Sequence, residues 1–380
     1  MDYTLVYYNF ILLLMVVFTI LTPQSIYGKA SRVGIIKYWG YLLPPILLYT
    51  LFWGLRENVG ADFPAYKMMY LFPSSAFAKH TEVGYQWLNQ ILAHMGFGYW
   101  SIFIVTSALT IIAIYYLGRR HGKSFTVALV YFFFTSTLVF SAQNGIRQHM
   151  AINFILIGLA LIPIAKNKIL PLAILITASI LVHKSAVVPW IIFLIIYFAK
   201  KMIINKYVLI TLVFACNILR GYLYQYVFGY FDAFFTMLDY AGYYERFNEF
   251  NMDQTLSSGF GVILKHIIYL IVIWNQELFI KKNKTKDTAY IAYCFFIIAI
   301  ICEPIFSSHM ILNRMVMYFA AMKFVVYAFA AKALWSRIAL PSKSMAAALY
   351  IITFMLFNAA ILSNSNYVVP YESVSFDNFI

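Results

Sequence analysis

Four short polar stretches interrupt an otherwise apolar chain, and their residue types suit the handling of an anion. The first, 56–66, reads RENVGADFPAY: Arg56 and Glu57 follow an apolar run, Gly60 breaks it, Asp62 adds a second acid, and Pro64 and Tyr66 close it. The second, SAQNGIRQHMAINF, carries Arg147, Gln148 and His149 at the start of another apolar run. A third, SILVHKSAVVPW, puts His183 and Lys184 between two apolar runs, and a fourth, SSHMILNRMVMYF, places Arg314 after His309 and Asn313 with Tyr318 one helical turn on. Arginine grips phosphate or pyrophosphate through a planar fork and keeps its charge when desolvated. Histidine serves as base or hydrogen-bond donor near neutral pH. Ionisable groups next to hydrocarbon are costly and usually face a cavity or a partner. The plainer alternatives are hydrated loop charges, arginines that snorkel to the headgroups, and a solvated turn histidine. Arg147 and Arg314, each among polar neighbours, favour a shared anion; a lipid-linked pyrophosphate, chloride or a carboxylate fits the charge.

The elements that must position these residues are membrane helices. The chain has 380 residues, 63% hydrophobic and only 11% charged, against about 25% charged in a soluble domain. The apolar runs have helical rather than barrel lengths. About twelve spans are expected, at 4–22, 38–55, 99–117, 124–142, 146–164, 169–182, 185–199, 207–221, 260–280, 288–306, 311–331 and 344–362. The short pair 169–182 and 185–199 admits tilted, half-length or re-entrant geometry. Basic residues cluster after the odd-numbered spans, from Lys29 through Arg119 and Arg120 to Lys332 and Lys343, which marks those loops as cytoplasmic. Nearly all acids fall on the other side, Glu277 and Asp287 excepted, so both termini are expected outside. The net charge of +14 therefore follows the positive-inside rule, and nucleic acid is not an expected partner.

Two long loops lie on the acidic side. In the first, 56–98, EVGYQWLNQIL predicts a helix on the membrane surface with Tyr85, Leu88, Ile91 and Leu92 on one face. The second, 220–259, carries Arg246 and thirteen aromatics between Tyr222 and Phe250, an interfacial belt or a sugar-stacking platform. Cys216, Cys294 and Cys302 lie in apolar runs and read as small buried residues, without a disulfide framework. No clustered acidic motif indicates a tightly held metal, and no cofactor is expected. The first apolar run lacks a positive leader and should persist as a helix. With no linker or repeat dividing it, the chain 1–380 reads as one integral-membrane domain.

With these residues in view, the sequence resembles the EpsG-type polysaccharide polymerases, relatives of the Wzy O-antigen and capsule polymerases. RENVGADFPAY resembles their R-x-x-x-G-x-D-x-x-x-Y signature, and EVGYQWLN, IRQHMA, HKSA and NRMVMY follow in matching order over roughly 50–320. The resemblance implies an all-α, polytopic, GT-C-like fold. It implies transfer of a growing glycan from undecaprenyl pyrophosphate to a new lipid-linked repeat unit, outside the cytoplasmic membrane. Arg147 and Arg314 would hold the donor pyrophosphate, with Arg56 and Arg246 as helpers and Gly60, Tyr66, Gln148, Lys184 and Tyr318 lining the substrate. Asp62, Glu82 and His183 would orient or deprotonate the acceptor hydroxyl. The implied partners are undecaprenyl-pyrophosphate-linked glycans, membrane lipids and a Wzz-type chain-length regulator. Rival readings are an O-antigen ligase-like transferase and a transporter or flippase of lipid-linked glycan. Polar groups gathered at one face, with mostly apolar span interiors, favour the enzyme.

Overall fold

The computed structural model describes residues 3–27, 32–162, 169–199, 203–237, 259–280, 286–307 and 310–374. Among them the ordered elements are all helical, and the protein is a polytopic membrane protein. Six helices are long and apolar enough to cross a membrane, or up to eight if two bent pairs each count as one span. Four shorter apolar helices follow the sequence-predicted runs without reaching spanning length. The described chain packs as two units, 1–192 with 327–380, and 193–326.

The first unit begins with α1 (Thr4–Leu21) and α2 (Arg32–Gly54). The loop predicted after them contains more structure than expected: α3 (Phe63–Leu71), the single turn α4 (Ala76–Lys79) and α5 (Val83–His94). Then come α6 (Trp100–His121), α7 (Lys123–Thr135), α8 (Leu138–Asn144), α9 (Ile146–Leu161) and α10 (Ile169–Val182). A short 3-10 turn, Lys184–Ala186, leads into α11 (Val187–Phe198). The core is built where α6 packs on α2, α7 and α9, and α9 on α10. The span expected at 124–142 is broken: α7 and α8 meet at 61°. Thr137 at the break takes φ 64, a left-handed conformation that a β-branched residue adopts only under constraint. That break turns the chain so that α9 starts beside the 56–66 stretch.

The amphipathic helix α5 forms as the sequence predicts, but its buried face is shifted. Tyr85, Asn89 and Leu92 are buried, whereas Ile91 is exposed. Burying Asn89 in place of Ile91 turns Tyr85 toward α9 and α10. Gly84 makes this docking possible, because a Cβ there would sit 2.8 Å from the Leu181 backbone of α10. A side chain at that position would push α5 off α10.

The 56–66 stretch is held from both ends. Arg56 is fully buried, and its guanidinium donates to the carbonyls of Val59 at 3.2 Å, Trp53 at 2.5 Å and Gln143 at 3.1 Å. It also lies over the Phe103 ring at 4.5 Å. Gly60 has φ +100, and a Cβ there would fall 2.6 Å from Asn144 Oδ1. Behind α19 (Leu340–Leu362) the tail 363–374 straps across this turn. Glu57 N–H donates to Glu372 O at 2.9 Å, Val374 N–H to Leu55 O at 2.7 Å, and Gly60 N–H to Tyr367 O at 2.8 Å. The tail is pinned further by Tyr8 Oη to Val368 O and by Tyr371 Oη to Phe52 O, each at 2.5 Å. Arg56→Ala should lose on the order of 3 kcal/mol or more, since it orphans three buried carbonyls. A lowered melting temperature in detergent and reduced membrane abundance check this; wild-type values for both would refute it.

The second unit holds α12 (Lys206–Ile218), α13 (Arg220–Met237), α14 (Phe260–Trp274), α15 (Gln276–Ile280), α16 (Lys286–Phe306), α17 (Met310–Ala320) and the start of α18 (Lys323–Trp335). Where a loop was expected from 220, α13 continues from α12 after an 81° bend. It exposes Tyr222, Tyr226 and Tyr230 as a stripe one turn apart. The span interiors are less uniformly apolar than the sequence reading held. Lys323 pairs with Glu303 at 2.5 Å and donates to Tyr269 Oη at 2.9 Å, and Lys265 lies one helical turn before Tyr269 on α14. Cys216, Cys294 and Cys302 are free and half-buried rather than fully buried.

Candidate functional site

Three residues distant in sequence meet in the first unit. Glu82 stands at the N-cap position of α5 without capping it through its side chain, Arg147 in the first turn of α9, and His183 directly after α10. Arg147 Nη1 donates to Glu82 Oε2 in a short ion pair. His183 Nδ1 lies 2.9 Å from Glu82 Oε1, and the backbone N–H of Lys184 donates to the same oxygen at 3.2 Å. Tyr85 slides its ring beneath the Arg147 guanidinium, 5.7 Å from its centre, and Tyr66 packs against Tyr85 at 5.9 Å.

The electrostatics follow from this arrangement. Burial by itself raises the Glu82 carboxyl pKa, but the hydrogen bond from His183 and the charge of Arg147 outweigh it and bring the group down to about 2. Glu82 is therefore ionised at neutral pH and can only accept hydrogen bonds. The proton of the His183–Glu82 contact then resides on Nδ1, with Nε2 on the far side of the ring. A carboxylate held that low is a poor base. Arg147 spends one of its five N–H donors on Glu82 and is hydrogen-bonded to Tyr66 as well. Its Nε has no hydrogen-bond partner among the described residues. The Arg147 and His183 side chains keep 21% and 23% exposure, against 11% for Glu82. The acid lies beneath, and the cation and the imidazole reach the surface.

The other sequence-predicted residues divide. Asp62 is half-buried at the start of α3, and Gln148 is buried beside Arg147 in sequence. Lys184 joins through its backbone, while its side chain is exposed. The Arg56 guanidinium is buried and spends three of its five N–H donors on backbone carbonyls, which fixes the shape of the turn. Gly60 likewise shapes the turn. Tyr66 is 5% exposed, packs on Tyr85 and joins the cluster through a hydrogen bond with Arg147. Arg314 is exposed on α17 and Tyr318 buried there, both in the second unit. Arg246 lies outside the described residues. The sequence placed Tyr85 on the packing face of α5 but not under Arg147, and it did not single out Gly84. It also missed that Glu57 is tied to Lys67 and to Tyr99 Oη, each at 2.6 Å.

The sequence model of the EpsG family matches residues 39–373, nearly the whole chain and every element of this cluster. The chain belongs to the EpsG family. No curated protein and no solved structure matches it. EpsG membership supports a role of the polysaccharide-polymerase type. For an EpsG protein, the matched span is informative at its far end: it reaches Ser373, so the tail that straps the 56–66 turn falls within the family's common region.

Proposed function

We propose that the protein polymerises undecaprenyl-pyrophosphate-linked oligosaccharide repeat units, with the Glu82–Arg147–His183 cluster facing the periplasm or cell exterior. The observation that carries this reading is the convergence of these residues, from three segments of an EpsG chain, into one partly exposed constellation. In the proposed step the acceptor sugar hydroxyl attacks the anomeric carbon of the donor glycan. The bond from that carbon to the pyrophosphate oxygen breaks, and undecaprenyl pyrophosphate leaves with the electron pair. His183 Nε2 takes the hydroxyl proton. The remaining donors of Arg147 meet the charge that grows on the leaving group. That charge is the larger part of the barrier, because pyrophosphate is already a good leaving group and transfer passes through an oxocarbenium-like state. Glu82 acts as a positioning residue that fixes both the guanidinium plane and the imidazole tautomer.

The test is incubation of purified protein with lipid-linked repeat units alone, read as a glycan ladder. A ladder without lipid A-core separates polymerisation from ligation, and chemical transfer separates either from transport. His183→Ala should lower ladder formation by roughly a hundredfold at unchanged protein level. A full ladder from this variant would remove His183 from the reaction.

A further inference from the structure

At the opposite end of α6 and α7 from Glu82 and Arg147, the first unit contains a cavity of about 650 Å3 between α1, α7, α19 and the end of α18. Its mouth is polar and basic, with Lys123 and Ser124 in the first turn of α7 and Lys332 and Ser336 at the end of α18. Its depth is apolar and aromatic, running past Val127 to Tyr131 and Tyr350. No acidic residue lines it.

The mouth has the chemistry of a phosphate seat. The Lys123 side chain makes no hydrogen bond or ion pair among the described residues. Lys332 Nζ donates to His121 O at 2.5 Å, which leaves it two further N–H donors. Gly122, at the N-cap of α7, offers no side-chain cap, so the first amides of this 13-residue helix point at the mouth without an intrahelical acceptor. Trp335 stands at the rim, 60% exposed, as tryptophan does at the headgroup level. A soluble anion would use the mouth and leave the apolar depth empty, whereas an amphiphile fills both. Basic pockets between membrane helices bind anionic lipid headgroups in this way.

We propose that this cavity binds an anionic phospholipid, its phosphate against Lys123, Lys332 and the start of α7, and an acyl chain along Val127 and Tyr131. The site is independent of the polymerase reading. The experiment uses the full chain purified in detergent, titrated with dioleoyl phosphatidylglycerol or dioleoyl phosphatidylcholine, with bound lipid counted by native mass spectrometry and melting temperature followed in parallel. Phosphatidylglycerol should bind more tightly and raise the melting temperature. Lys123→Gln, which keeps the Lys332 bond to α6, should weaken it about fivefold, and Lys123→Gln with Lys332→Gln about thirtyfold, at one headgroup contact per lysine. Phosphatidylcholine binding should not change. Val127→Phe retains both lysines and fills the depth, so it should lose retained phosphatidylglycerol as well. Equal retention of the two lipids by the wild type overturns the proposal. So does an unchanged phosphatidylglycerol affinity in Lys123→Gln, or protection by inorganic phosphate equal to that by the lipid, which would mark a site for a soluble anion.

Discussion

Arg147→Lys is expected to insert and accumulate like the wild type, yet to leave the glycan at a single repeat unit. Lysine keeps the charge and could still pair with Glu82, but it replaces a planar fork with a point contact. A guanidinium can hold Glu82 with one edge and a phosphate with another; an ammonium directed at Glu82 has no second edge to offer. Loss of one charge-assisted bond is worth about 1.5–3 kcal/mol, or roughly a ten- to hundredfold drop in rate. A residue that merely snorkels would tolerate the exchange, because lysine snorkels equally well. Ladders from a polymerase-null strain complemented with each variant, with membrane abundance checked by blot, make the comparison. Normal ladders from Arg147→Lys would leave Arg147 an anchor and return the pyrophosphate to Arg314.

Glu82→Gln should be at least as damaging, for a different reason. The amide matches the carboxyl in shape but presents an NH2 either to Arg147 or to His183 and the Lys184 N–H, the three donors that now converge on the acid. Arg147 loses its fixed plane, and His183 is no longer compelled to keep its proton on Nδ1. Misplacing that tautomer should cost roughly a hundredfold or more in transfer. A pH measurement supplies an independent readout. The folded-state pKa of about 2 lies below the ordinary 4.5, so the contribution of Glu82 to stability is complete above about 4.5 and disappears as pH falls toward 2. Melting temperature of the wild type should therefore decline across that window, and the Gln variant should lack this component. Identical acid profiles, together with ladders that track abundance, would reduce Glu82 to a packing residue.

The helices were largely legible in the sequence because lipid burial writes long apolar runs, and the runs 4–22, 99–117 and 146–164 fall within a few residues of the helices observed. The breaks were not. Thr137 depends on what packs against it, with no proline or glycine there to announce it, and the bend after Ile218 is marked in sequence only by Gly221 at the second position of α13. For the site, Glu82, Arg147 and His183 stood out as ionisable groups beside apolar runs. Their mutual contact did not, because it depends on Gly84 letting α5 settle on α10. Arg56 shows the same gap. An arginine beside a membrane exit invites a ligand reading, while three of its donors go to backbone carbonyls, which have no signature in sequence.

The tail that fastens the 56–66 turn has a consequence for the order of folding. Tyr371 and Phe52 are 319 residues apart, and Tyr371 and Thr4 are 367 apart, so these pairings close very long loops within the first unit. Long closures bring their entropy cost before any contact rewards it and form late. The 56–66 turn leaves the ribosome early but acquires its shape only when the tail arrives over helices already assembled. In pulse-labelled hydrogen exchange, the amides of Glu57, Gly60 and Val374 should become protected together, after those of α6 and α9. A chain halted before that stage would hold an assembled bundle of helices and an unfinished signature turn.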